Sequence, residues 1–197
     1  MIYIKSDKEI ELMRKPCEIV RDVLCLCEEK IRAGMTTKEL DKIAYDYITS
    51  CGATPSFLGY GGFPAATCIS IDEQVVHGFP SDRIIEEDQI VSVDVGAFFN
   101  GFHGDAARSL YVGHISPEKK KLIDVTRECF FEGIKGICIG SALGDIGAQV
   151  QEHAEKNGFS VVRDMVGHGV GRHLHEDPSV PNYGKRGVGV RLKRNMT

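Results

Sequence analysis

Residues 91–108 read Val91-Ser92-Val93-Asp94-Val95-Gly96-Ala97-Phe98-Phe99-Asn100-Gly101-Phe102-His103-Gly104-Asp105-Ala106-Ala107-Arg108. Asn100-Gly101 lies between apolar strand-like runs and is a leading signal for a two-residue type I′ hairpin, whose central residues both take positive φ. Such a turn fixes the register: Phe99 opposes Phe102, paired positions sum to 201, and Asp94 opposes Ala107. Side chains alternate with period two, so Asp94 and Asp105 share a face as diagonal neighbours, about 7–8 Å apart at the backbone. Two carboxylates close that span by reaching for the same ion or ion pair. Burying both charges unpaired costs several kcal/mol each, so the acids need a proton, a basic partner or a metal. We favour a metal; the competing arrangement pairs one acid with Arg108 and turns the other to water.

Outward from this hairpin, short β-branched and apolar runs predict strands at 68–71, 74–77, 89–99 and 109–112. Before them, Ile10, Met13, Cys17, Ile19, Val20, Val23, Leu24 and Cys27 form a helical stripe over residues 6–30. Thr36 and Glu39 form a capping box for a second helix that ends near Cys51-Gly52. Turn-rich Gly59-Tyr60-Gly61-Gly62-Phe63-Pro64 follows. After the strands, Ser116-Pro117-Glu118 starts a helix that runs to about Gly136, and residues 137–158 hold another. The order is two helices, strands, then two helices again. Ile31-Arg32-Ala33-Gly34 matches Ile137-Cys138-Ile139-Gly140 at an offset of 106, which also aligns Glu39-Leu40 with Asp145-Ile146 and Gly52 with Gly158. We read an internal duplication in one α+β domain, with halves at about 1–112 and 113–197, helices against one shared antiparallel sheet, and a cleft on a pseudo-two-fold axis. The second half is short by about one hairpin, with its last strands missing, so the chain reads as C-terminally incomplete.

Composition bounds the function. The chain has 197 residues, 42% hydrophobic and 26% charged, with net charge -4 and no Trp, the make-up of a soluble globular protein rather than a disordered, collagenous or coiled-coil one. No apolar run approaches the ~18 residues of a membrane span, and no leader pattern opens the chain. A cytoplasmic protein with no membrane and no nucleic-acid partner is expected. Seven irregularly spaced Cys without a CxxC give neither a disulfide framework nor a zinc knuckle.

A second dense stretch is Val166-Gly167-His168-Gly169-Val170-Gly171-Arg172-His173-Leu174-His175-Glu176-Asp177-Pro178, three His in eight residues of a chain with 7 in all. Imidazole together with carboxylates suits Mn, Fe, Co or Zn. A third, Val75-Val76-His77-Gly78-Phe79-Pro80, is equally readable as a strand-end His bonded to backbone.

Together these motifs, with the opening Ile4-Lys5-Ser6 and Glu9-Ile10-Glu11-Leu12-Met13-Arg14, resemble the type I methionine aminopeptidases over essentially the whole chain. The resemblance implies the pita-bread fold, a pseudo-symmetric α+β structure, and a centre of two divalent metal ions (Co, Mn, Fe or Zn). It implies that Asp94 and Asp105 bind the metals, with Asp105 bridging, and that His168 binds one of them. His77 and His175 match positions that hydrogen-bond the substrate at the scissile amide, His175 suited to the oxyanion. Tyr60, Phe63 and Cys68 fall at the methionine side-chain pocket. The implied reaction is hydrolysis of the bond after an N-terminal methionine when the next residue is small, on nascent polypeptides and near the ribosome, by a monomer.

The sequence departs from that pattern in two places. Leu174 stands where an aromatic often lines the pocket. Two glutamate ligands, one also a proton shuttle, would follow Leu192-Lys193-Arg194-Asn195-Met196-Thr197, so three of five ligands are present and the 197-residue chain alone is expected to bind metal weakly and be nearly inactive. The alternatives are a non-catalytic peptide- or protein-binding module on the same fold, and a proline-specific peptidase of that fold.

Overall fold

The hairpin closes in the expected register. A computed structural model describes residues 1–197. In chain order its elements are helices α1 (Asp7–Lys30) and α2 (Thr37–Ser50), strands β1 (Thr54–Pro55), β2 (Thr67–Ile71), β3 (Ile90–Phe99) and β4 (Phe102–Tyr111), helices α3 (Pro117–Ile134) and α4 (Leu143–Lys156), and strands β5 (Gly167–Gly169) and β6 (Glu176–Val180). Phe99 faces Phe102 and Asp94 faces Ala107. Asn100 and Gly101 take φ of 49° and 86°, the left-handed pair that a type I′ turn requires.

Residues form two compact units. One comprises Glu9–Ser116 and Gly171–Leu174. Its sheet is antiparallel with β3 central, pairing with β4 on one side and with β1 and β2 on the other. Strand alternation sorts this sheet into two chemically different faces. Ile69, Ile71, Val91, Val93, Val95, Ala97 and Leu110 are buried in one cluster with Ile19, Val20, Val23 and Leu24 of α1 and Leu40, Ala44 and Ile48 of α2. The intervening positions carry Cys68, Ser70, Ser92, Asp94 and Asp105 instead. Alternation thus commits one face to the core and leaves the other for chemistry.

The predicted strand at 74–77 is absent. Asp72 turns the chain at φ 52° directly after β2, the Gln74 side chain accepts from Ile71 N at 3.0 Å, and Val75 and Val76 are exposed. The acidic Asp72-Glu73 step and this side-chain cap end the strand before the β-branched pair, whose propensity then counts for nothing. Strand β4 begins at Phe102 rather than at Ser109, because the tight turn pairs it with β3 along its whole length.

The other unit comprises Met1–Lys8, Pro117–Val170 and His175–Thr197. Val125 and Cys129 of α3 pack against Ala154 and Val150 of α4, with Phe159 and Val161 closing the cluster. β5 and β6 form a short antiparallel hairpin whose register shifts between His168 and Gly169.

The offset of 106 recurs from α2 to α4 and at the glycines that flank them, and the turn contacts beside them repeat as well. α2 and α4 both span 14 residues, Thr37–Ser50 and Leu143–Lys156. Gly34 and Gly140 both take positive φ, as do Gly52 and Gly158. Gly34 N donates to Ile85 O at 2.9 Å and Gly140 N to Leu192 O at 2.9 Å, while Ile85 N donates to Met35 O and Leu192 N to Ser141 O.

Candidate functional site

Asp94 and Asp105 emerge from β3 and β4 on the sheet face turned away from the helical core, at the diagonal positions set by pairing Asp94 with Ala107 and Gly96 with Asp105. Their side chains are hydrogen-bonded to each other. Ionised carboxylates only accept, so a bond between two of them requires a proton on one. Burial pushes Asp105 from the usual carboxylate range up to about 6, and the bond to Asp94 offsets part of that rise. A pair of hard oxygen donors set side by side on one sheet face is a fitting seat for a divalent metal. Arg108 does not compete for it. Its position opposite Val93 puts it on the helical side, where it pairs with Glu28 of α1 at 2.6 Å.

An apolar cluster adjoins the acids. Cys68 faces Asp94 across the β2–β3 ladder and packs with Phe57, Leu174 and the partly buried Phe63. Burial first, then the charges of Asp94 and Asp105, push the Cys68 thiol up to about 12, so it stays a neutral, polarizable wall. Phe63 also meets Phe79 edge-on at 5.2 Å. Tyr60 opens the short 3-10 turn whose carbonyl accepts from Phe63 N at 2.9 Å, and its side chain is about half exposed. Leu174 is buried in this cluster, so an aliphatic wall stands at that point. His77 is exposed in the loop after β2 with φ 59°. The next residue clips that loop to the sheet edge, Gly78 O accepting from Ile69 N at 2.9 Å and Gly78 N donating to Ser70 Oγ at 3.1 Å.

Sequence reading missed Phe57 and His103 on this face. His103 lies two residues from Asp105, bonds Ser56 Oγ through Nδ1 at 2.8 Å, and packs on Phe98 with ring centroids 4.6 Å apart. The alternation that placed Asp105 places His103 beside it, which was the available signal.

In the second unit, His168 and His175 stand together with ring centroids 4.2 Å apart. His168 Nδ1 lies 2.9 Å from Gly169 O. A carbonyl only accepts, so Nδ1 carries the proton and the lone pair sits on Nε2, the tautomer prepared for a metal or an electrophile. No group of three or more His, Cys, Asp or Glu side chains is gathered into a metal-holding cluster. The donors come as an acid pair and a histidine pair, each within its own unit.

Known proteins give these pairs a context. The profile of metallopeptidase family M24 matches residues 11–197. A methionine aminopeptidase of Clostridium perfringens is 53% identical over 196 residues, covering 100% of this chain and 79% of that protein. A crystal structure of methionine aminopeptidase from Thermotoga maritima superposes with a TM-score of 0.97 at 45% identity, covering 100% of this chain and 79% of that one. The prolidase of Pyrococcus furiosus matches at a TM-score of 0.85 and 25% identity, over 98% of this chain and 55% of that one. The α+β architecture is therefore the pita-bread fold, and the chain belongs to metallopeptidase family M24.

Proposed function

We propose that this protein is a divalent-metal-dependent aminopeptidase that removes N-terminal methionine from polypeptides when the next residue is small. The single observation that carries this reading is the hydrogen-bonded acid pair beside the cluster of Phe57, Phe63, Cys68 and Leu174. Charge chemistry and an apolar, sulfur-lined surface meet at Cys68, which faces Asp94. Identity of 53% to a methionine aminopeptidase supports it.

Asp94, Asp105 and His168 would hold the metal, and two ions of Mn, Fe, Co or Zn fit carboxylate and imidazole donors. When bound, such ions lower the pKa of water and polarise the scissile carbonyl. The chain's own groups do the rest. Asp105, ionised, would offer its carboxylate oxygens to the metal. Tyr60, Phe63 and Cys68 hold the methionine side chain, Phe57 and Leu174 completing the apolar wall. His77 and His175 hydrogen-bond the scissile amide, His175 donating to the oxygen that gains negative charge.

On this proposal residues 1–197 act as a single catalytic domain with duplicated halves at about 1–112 and 113–197. The protein works as a monomer in the cytoplasm near ribosomes, where nascent N-termini emerge. No helix is long and apolar enough to cross a membrane.

Hydrolysis of Met-Ala-Ser against an X-Pro peptide, with added Mn(II) or Co(II), tests the proposal. Of a chain that also carries the two glutamate ligands, cleavage of Met-Ala-Ser and not of X-Pro is expected. Preference for X-Pro would turn the assignment to the prolidase branch, and binding without turnover of either by a chain that also carries the two glutamate ligands would make the protein a peptide-binding module.

A further inference from the structure

Glu176 belongs to the motif His175-Glu176-Asp177-Pro178, yet the reaction gives it no part. It follows His175 directly and faces Gly169, the neighbour of His168, across the β5–β6 ladder. Its carboxylate accepts from Lys5 Nζ at 2.5 Å, with the two side chains only 2% and 4% exposed. Lys5 Nζ also donates to Tyr3 O at 3.2 Å, and Lys5 N to Asn195 O at 3.1 Å. The N-terminal amine pairs with Asp177, and Ile2 bridges the same residue, so residues 1–5 run along β6.

A buried ion pair is a poor device for stability, because desolvating both charges consumes most of what their attraction returns. What it does specify is direction. Direction is what this hairpin lacks, since its register shifts between His168 and Gly169, the place where a ladder ceases to fix where side chains aim. The backbone there is tightly seated: a Cβ on Gly169 would lie 2.7 Å from Asp177 O and 3.0 Å from Glu176 O. A small displacement of Glu176 therefore moves the strand that carries His168.

We propose that Lys5 and Glu176 are positioning residues, an internal ion pair that anchors the β5–β6 hairpin and thereby sets the aim of the His168 and His175 rings. The proposal rests on the roles given above to those two histidines. It adds a functional task for the first residues of the chain, which stand far from either histidine in sequence.

The test uses Lys5→Met, Glu176→Gln and Lys5→Arg, with Arg194→Ala as a control that breaks the exposed pair to Asp7 in the same unit. Histidine ring tautomers are read by long-range proton–nitrogen spectra of the metal-free, histidine-labelled protein, alongside kcat and KM on Met-Ala-Ser. The two neutralising variants should shift or broaden the His168 and His175 ring signals and lower kcat about tenfold or more, the usual effect of losing such an outer partner, with KM nearly unchanged. Lys5→Arg should restore both readouts, and Arg194→Ala should alter neither. Unchanged ring signals and kcat in folded Lys5→Met or Glu176→Gln would overturn the proposal, whatever happens to Tm. So would failure of both to fold while Lys5→Arg folds, since the pair would then be a stability element. If the wild type does not cleave Met-Ala-Ser, the ring spectra alone decide the role of the pair.

Discussion

Asp94 and Asp105 are bonded carboxyl to carboxyl across a diagonal of the β3–β4 hairpin, and burial raises Asp105 to about 6. The sign of the resulting pH dependence follows from linkage. A group whose folded pKa lies above its unfolded value of ~3.9 stabilises the fold fully below that value and loses the contribution as pH rises through the folded pKa. The metal-free protein should therefore lose up to ~3 kcal/mol from this group between about pH 4 and pH 6. Asp145 and Glu39, whose pKa values are lowered by the backbone hydrogen bonds they accept, act in the opposite direction. The diagnostic is the difference between wild type and Asp105→Asn in Tm across pH 4–7: the variant should gain on the wild type as pH rises. Parallel curves would mean that the acid pair does not share a proton.

Adding Mn(II) should reverse that trend in the wild type, because a cation takes the proton's place and binds the ionised pair more tightly above pH 6. Asp105→Asn removes the charge of one of the two carboxylates and should abolish the metal-induced rise in Tm. The measurement is thermal unfolding with and without metal at pH 7.5, and an equal metal-induced rise in the variant would remove Asp105 from the ligand set.

Arg108 is the second discriminating position. It pairs with Glu28 on the partly exposed helical side of the sheet, and pairs of that kind contribute ~0–1 kcal/mol. Arg108→Met should leave kcat/KM within about twofold and shift stability by less than ~1 kcal/mol. A collapse of activity in a folded variant would restore the arrangement in which Arg108 neutralises an acid.

Strand parity alone settles which side Arg108 takes. Asp94 opposes Ala107, so Arg108 opposes Val93 and must share the core-facing side. The same parity predicts the acid pair and also picks out His103. The duplication was legible for a related reason: caps and left-handed glycines are local signals, and Thr36 with Glu39, Gly34 with Gly140, and Gly52 with Gly158 all stand where the sequence placed them. What escaped was non-local. Val75 and Val76 have strand propensity, but Asp72 and the Gln74 cap turn the chain away from β2. Phe57 joins Cys68 only because Gly96 gives it room across β3, and nothing near Phe57 in sequence says so.

That room can be removed. A Cβ on Gly96 would stand 2.6 Å from Phe57 Cε1 and 2.7 Å from Ser56 Cβ, both side-chain atoms. Phe57 would have to shift toward Cys68 and Leu174, its partners in the apolar cluster. Gly96→Ala should therefore raise KM for Met-Ala-Ser about tenfold, equivalent to ~1.4 kcal/mol. The overpacking should cost ~1–3 kcal/mol of stability. Steady-state kinetics with thermal unfolding checks both. An unchanged KM would place the methionine side chain away from Phe57.

The cysteines offer a check on the pocket that needs no turnover. Thiolate is the reacting form, and burial pushes both Cys27 and Cys68 up to about 12, with further help from Asp41 at Cys27 and from Asp94 and Asp105 at Cys68. Cys25 and Cys138 are exposed. At pH 7.5 iodoacetamide should label Cys25 and Cys138 within minutes while Cys27 and Cys68 stay unmodified, as read by peptide mass spectrometry. The two protected thiols should then separate under mutation. Leu174→Ala opens the wall that covers Cys68 and leaves Cys27 in the main core. Cys68 alone should become reactive in that variant, and a methionine-like apolar ligand such as norleucine should protect it again. Early labelling of Cys68 in the wild type, or none in Leu174→Ala, would mean that Leu174 does not seal the cluster assigned here to the substrate side chain.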